Sequence, residues 1–290
     1  MLFDLRRRYP ADAVAAWQAR SEEFFAHLER ADLVQLVVTD RFETVVSQWG
    51  RDTPHEFGGE GAVVYRAGKS DGTRAGAKTV VLAEHRCAVV VGVDAIALDD
   101  DTLRWMLTHE VQHALLHQQD ASAVAVQRRL GREVDPPRPW AFILPAQASI
   151  DEFRCERAVY AQRGAREPTY DPADATRLLG QLRTARAASR AGMDRSYEIV
   201  VRVLDRLATM AAYVGAAVEA GADQERRWAG LPELALLWDR LHPTPHIGEP
   251  VEPEDLWRHA VELSEELDLV LRGYGVEHVF EDDGISLYFR

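Results

Sequence analysis

The stretch "LTHEVQHALLH", residues 107–117, places three of the chain's ten histidines within a few turns of a helix. Its reading decides the fold: it is either a metal-binding catalytic helix or an amphipathic helix that carries polar histidines. His109, Glu110 and His113 fit the pattern His-Glu-x-x-His. On a helix, positions i and i+4 lie one turn apart on a single face, so both imidazoles can reach one ion. Zinc suits two neutral imidazoles plus a carboxylate and leaves a fourth position for water. Glu110, next to the first imidazole, can then accept a proton from that water as it attacks a carbonyl. Random placement of ten His and 24 Glu in 290 residues gives the pattern about 0.03 times per chain, so context has to supply the rest.

The surrounding sequence supplies it. "LDDDTLRWMLTHEVQHALLHQQD" opens on three aspartates. Asp100 or Asp101 can cap a helix there, and negative charge suits its N-terminus. Leu103, Met106, Leu107, Val111, Ala114 and Leu115 follow at helical spacing. Upstream, a helix that Pro10 helps to start precedes four valine-rich runs: "LVQLVV" (33–38), "AVVYR" (62–66), "KTVVLAE" (78–84) and "CAVVVGV" (87–93). Turn-rich "GRDTPHEFGGEG" and "AGKSDGTRAG" lie between them, which predicts a small, mostly antiparallel sheet of three to five strands.

Downstream, a helix is expected near 121–132, and the prolines of "DPPRPWAFILP" (135–145) predict an interruption. "SIDEFRCERAVYAQRG" (149–164) resumes as a helix, with Ser149 or Asp151 as its cap. Further helices are expected over 172–190, 194–220, 231–241 and 253–272, with "HPTPHIGEPVEPED" (242–255) as a proline-rich loop. "VEHVFEDDGISLYFR" reads as a terminal hairpin around "DDG". The class is α+β: a small sheet and a His-Glu-x-x-His helix, followed by a mainly helical C-terminal half.

Two imidazoles and a water leave one ligand to find. His117 lies eight residues from His109, about 12 Å along a helix, and cannot share its ion. "DEFRCERAVYA" (151–161) is the best source, with acids at Asp151, Glu152 and Glu156, the last two on one face. Acids at a helix start also suit the dipole, which accounts for Asp151 and Glu152 better than for Glu156. Together the two segments resemble the gluzincin class of zinc metallopeptidases, and more narrowly the ImmA/IrrE-type peptidases. In those, His-Glu-x-x-His-x-x-x-His is followed by a stretch of the form Glu-x-x-Ala-(Asn/Asp)-x-Phe-Ala. This chain has "HEVQHALLH" for the first and "EFRCERAVYA" for the second, with Cys155 and Glu156 in place of the alanine and the Asn or Asp.

The resemblance covers residues 107–161. It implies a zincin-like core with His109, His113 and Glu152 as zinc ligands and Glu110 as general base. Glu156 would fall where a polar residue hydrogen-bonds a ligating histidine. With the almost wholly helical reading beyond Pro172, it gives an expected metallopeptidase domain over 1–170 and a helical region over 171–290, either separate or packed with the first as one unit. The expected activity is hydrolysis of a peptide bond by a metal-activated water. A zincin fold with a binding or regulatory role, and a helical scaffold without metal, are the competing readings.

The net charge of −13 argues against nucleic acid, whose phosphates are met by clustered Lys and Arg. No run approaches the roughly 18 apolar residues of a membrane span, and no signal-peptide core follows "LRRR" at 5–8. A cytoplasmic protein acting on a protein or peptide substrate is expected. Cys87 and Cys155 read as reduced thiols. His85, Tyr160 and Tyr170 are available to stabilise an oxyanion, but spacing selects none of them. "GGEG" (58–61) lacks the lysine context of a phosphate loop.

Overall fold

The computed structural model describes residues 2–5, 8–25, 31–52, 76–83, 85–96, 100–131, 140–166, 172–189, 193–222, 231–281 and 284–289. The expected strand at 62–66, the "GGEG" turn and Tyr170 lie outside them. The chain divides into two compact units, Met1–Ala125 and Val126–Arg290. No helix among the described residues is long and apolar enough to cross a membrane.

The first unit runs β1 (Leu2–Asp4), α1 (Ala11–Phe25), β2 (Val34–Thr39), α2 (Phe42–Asp52), β3 (Ala77–Ala83), β4 (Arg86–Gly92), the short α3 (Val93–Ile96) and α4 (Asp100–Gln118). The strands form a four-stranded sheet in the order β1-β2-β4-β3. β1 pairs with β2, and β2 with β4, in parallel; only β3 and β4 are antiparallel. The sheet is therefore mixed, where the sequence predicted mostly antiparallel pairing.

The difference has a local cause in α2. Phe42, Val45, Val46 and Trp49 fall at i, i+3, i+4 and i+7, so "FETVVSQW" forms a helix despite its β-branched residues. Thr39 Oγ1 accepts the Arg41 backbone N–H at 3.0 Å, which turns the chain out of β2 and into that helix. A connection that contains a helix suits a parallel return, whereas a tight turn suits an antiparallel one.

Both faces of the sheet are covered, which is why β4 reads as unbroken apolar sequence rather than as an alternation. Val34, Leu36, Val38, Cys87, Val89 and Val91 pack on one face with Leu103, Leu107, Val111 and Ala114 of α4. Val37, Val80, Ala88 and Val90 pack on the other with Val45 and Val46 of α2. On β3, residues 77, 79 and 81 share the α4 face, since successive side chains alternate. Ala77 and Val81 indeed belong to the α4 cluster, and Thr79 lies between them.

Beyond α4 run α5 (Ala123–Arg129), α6 (Trp140–Arg163), α7 (Pro172–Ser189), α8 (Met193–Glu219), α9 (Pro232–Leu241), α10 (Pro253–Gly273), β5 (Val276–Glu281) and β6 (Gly284–Phe289). α6 departs from expectation. It starts at Trp140 and carries Pro145 inside it, so Ser149 and Asp151 are interior residues and not caps. An interior proline removes one helix hydrogen bond at a cost of about 3 kcal/mol. Burial of Phe142, Ile143, Ala146, Ile150 and Phe153, each 2% exposed or less, offsets that cost.

α8 packs against α6, α7 and α9. Its alanines 208, 211, 212, 216 and 217 are buried, and small residues let neighbouring helices approach closely. At Gly215 an added Cβ would sit 2.3 Å from the Trp238 ring, so only glycine fits. α6 is also held by two buried arginines. Arg154 Nε donates to the Pro245 carbonyl at 3.0 Å, and Arg157 Nη2 to the Thr244 carbonyl at 2.7 Å. These bonds fasten the proline-rich loop to the helix. The hairpin of β5 and β6 pairs from Val276↔Phe289 to Glu281↔Gly284. Cys87 and Cys155 are buried and outside any disulfide.

Candidate metal centre

α4 is buried around most of its girth in the stretch that carries the motif. His109 is 5% exposed, Glu110 7% and Gln112 3%, while His113 is half-buried. Buried polar side chains require partners, because each one left unsatisfied costs about 1–3 kcal/mol. The partners these residues find define the centre.

The two imidazoles meet each other. His109 Nε2 and His113 Nε2 lie 3.1 Å apart, with ring planes inclined at 69°. Two unprotonated ring nitrogens facing at that distance would set lone pair against lone pair. Either a proton carried by one of them or a cation must lie between. Nitrogens bound to zinc at about 2.0–2.1 Å stand roughly 3.3 Å apart at the tetrahedral angle, close to the spacing observed.

His109, His113 and Glu152 form a group that could hold a metal ion: one ligand atom from each lies within 4.8 Å of the others. Glu152 sits on α6 among buried neighbours, Phe153, Arg154, Cys155 and Glu156. Its Oε2 accepts a hydrogen bond from the Tyr213 hydroxyl of α8 at 2.9 Å. Glu156, one turn on, is buried but is not a member of the group. His117 is half-buried in the last turn of α4 and is not a member either.

Glu110 is held by the sheet. Gly92 N–H bonds the Gly76 carbonyl at 2.8 Å, which makes these two a bonded pair of the β3–β4 ladder. Bonded and non-bonded pairs alternate, so Thr79, opposite Val89, belongs to a non-bonded pair. Its N–H and C=O point away from β4. The Thr79 N–H accordingly donates to Glu110 Oε2 at 2.6 Å. The Thr79 hydroxyl lies 2.8 Å from that same oxygen and 2.8 Å from the Glu110 carbonyl, and donates its single proton to one or the other. One carboxylate oxygen is thereby fixed against the outer strand of the sheet.

Of the residues named from the sequence as available to stabilise an oxyanion, Tyr160 and His85 are among the described residues. Tyr160 is buried and donates to the Arg166 carbonyl at 3.0 Å. Burial, and after it the charge of Glu156, raise its pKa well above the ordinary phenol value, so it stays protonated. His85 occupies the β3–β4 turn at a positive φ of 58°, with Asp120 3.8 Å away.

Thr79 and Tyr213 escaped the sequence reading. Thr79 stands in "KTVVLAE", where it looks like one more β-branched strand residue. Tyr213 stands in "LATMAAYVGAAVEAGA", which reads simply as a buried helix. The only signal in either case was a hydroxyl at a position that faces other elements. Protein-family models, curated proteins and solved structures contain no match for the chain.

Proposed function

We propose that the protein is a zinc-dependent peptidase in which His109, His113 and Glu152 hold the metal and Glu110 is the general base. The observation that carries this reading is the group of two imidazoles and a carboxylate with ligand atoms within 4.8 Å of one another. Beside it stands a buried glutamate already fixed by one oxygen. A zinc ion bound there would supply Lewis acidity, polarising a carbonyl and lowering the pKa of water.

The chain's own residues do the rest. Glu110 takes a proton from the attacking water and returns it to the departing amine. Thr79 holds Glu110 Oε2 and so limits the rotamers of the base. The burial of His109 and Glu110 keeps bulk water from their polar atoms, which strengthens each electrostatic contact they make. β3 is the outer strand of its sheet among the described residues, and its outward backbone groups on either side of the engaged Thr79 N–H suit pairing with an extended peptide. This is the sense in which a peptide is the favoured substrate class.

One observation favours a second reading. A glutamate that accepts from both the N–H and the hydroxyl of Thr79 also serves to dock a helix onto a sheet. On that reading the centre is a metal-holding module with a binding or regulatory role, and Glu110 is structural. Glu110→Gln separates the two. A peptidase loses cleavage in a proteome-wide profile while retaining zinc, and a binding module shows the same profile as the wild type. Identical profiles would overturn the peptidase assignment.

A further inference from the structure

The Glu152 carboxylate hangs on a flexible stem, yet one of its oxygens is engaged at 2.9 Å by a phenol. That phenol belongs to a closely packed part of the second unit. Tyr213 lies between the buried Ala211 and Ala212 on one side and Val214, Ala216 and Ala217 on the other. Two residues further on, Gly215 presses directly on Trp238. α6, which carries Glu152, packs along α8 and is anchored by Arg154 and Arg157. A tyrosine has only two side-chain torsions, so a hydroxyl held this way is a fixed donor.

We propose that Tyr213 is a positioning residue for the metal centre: it holds Glu152 Oε2 and thereby orients the carboxylate toward His109 and His113. The inference rests on Glu152 being the third ligand. A carboxylate whose one oxygen is taken by a donor offers the other to the ion and binds through a single oxygen. That mode preserves four-coordinate geometry, whereas a carboxylate free to rotate can bind through both oxygens and raise the coordination number. Outer residues that orient metal ligands change affinity by about 10–100-fold when removed.

The test compares the full-length wild type with Tyr213→Phe, Glu152→Gln and the double variant. Zinc affinity is read by competition with a chromophoric chelator, and the cobalt(II) derivative by its visible bands. Tyr213→Phe is expected to weaken zinc binding about 10–100-fold and to dim the intense bands of tetrahedral cobalt. The metal-free protein should remain folded, its melting temperature lowered by no more than the loss of one hydrogen bond accounts for. In the Glu152→Gln background, the same Tyr213→Phe change should cost much less.

Unaltered zinc affinity and an unaltered cobalt spectrum in Tyr213→Phe, beside a clear loss in Glu152→Gln, would overturn this inference and leave the ligand set standing. Equal zinc affinity in Glu152→Gln and the wild type would instead overturn the ligand set, and the inference with it. Should Tyr213→Phe fail to fold, fluorotyrosine at position 213 keeps the shape and alters only the strength of the hydrogen bond. Zinc affinity must then change, and constancy overturns the proposal.

Discussion

Replacing Thr79 by valine removes a hydroxyl and preserves the shape, the β-branch and the backbone N–H. The structure sets the size of the effect. Glu110 Oε2 receives the Thr79 N–H at 2.6 Å and lies 2.8 Å from the hydroxyl, and Glu110 is 7% exposed. A hydrogen bond to a charged group is worth about 1.5–3 kcal/mol, and water cannot easily replace a lost donor at a buried oxygen. Thr79→Val should therefore destabilise the protein by about 1.5–3 kcal/mol in urea unfolding, with the denaturant slope unchanged. Thr79→Ser keeps the donor and loses one methyl group, which costs about 0.5–1.5 kcal/mol. In a Glu110→Gln background the bond is between neutral groups, and the valine should cost only about 0.5–1.5 kcal/mol. The difference is a coupling of roughly 1 kcal/mol. A Thr79→Val protein within 0.5 kcal/mol of the wild type, with no coupling to Glu110, would refute the assignment of the Thr79 hydroxyl to the Glu110 carboxylate.

Other predictions concern the second unit. Gly215→Ala places a Cβ 2.3 Å from Trp238 Cδ1. The better helix propensity of alanine, about 1 kcal/mol, is outweighed by overpacking, and a net loss of up to about 2 kcal/mol is expected in urea midpoints. Gly180, with nothing within 4 Å of an added Cβ, is the control, and Gly180→Ala should stabilise by roughly 0.5–1 kcal/mol. Asp268 is the case for pH. Burial pushes its carboxyl up, but hydrogen bonds from His278 and Arg272 prevail and hold it below the ordinary carboxylate value. A lowered folded pKa stabilises fully above the unfolded value of about 3.9 and is lost as pH falls through the folded one. The stability gap between wild type and Asp268→Asn should shrink as pH falls below about 4, as read by denaturation at fixed pH. A gap that widens below about pH 4 would contradict the assignment.

How much of this was legible in the sequence follows from the range of each interaction. The α4 motif needs only helical spacing, so His109, Glu110 and His113 could be named from eleven contiguous residues. Glu152 is a long-range partner, and helical spacing alone left it level with Asp151 and Glu156. Family resemblance singled it out, and it lies in a group with the two histidines that could hold a metal ion. The parallel pairing of β2 with β4 turns on the helix between the strands, which the valine-rich runs do not announce, although the i, i+3, i+4, i+7 spacing of Phe42, Val45, Val46 and Trp49 is helical. The start of α6 at Trp140 is hidden because Pro145 reads as an interruption in the sequence, whereas tertiary burial carries the helix through it. Thr79 and Tyr213 were not legible at all. Their roles depend on which way an edge amide points and on which helix lies opposite, and neither is encoded locally.

The central claim is that three side chains from α4 and α6 hold one zinc ion. Metal analysis and chelator competition on the purified full-length chain, beside His109→Ala, His113→Ala and Glu152→Gln, test it most directly. The account predicts close to one zinc per chain in the wild type and a loss of affinity of at least tenfold in each variant. A wild type without near-stoichiometric zinc, or variants that bind it as tightly as the wild type, would contradict it.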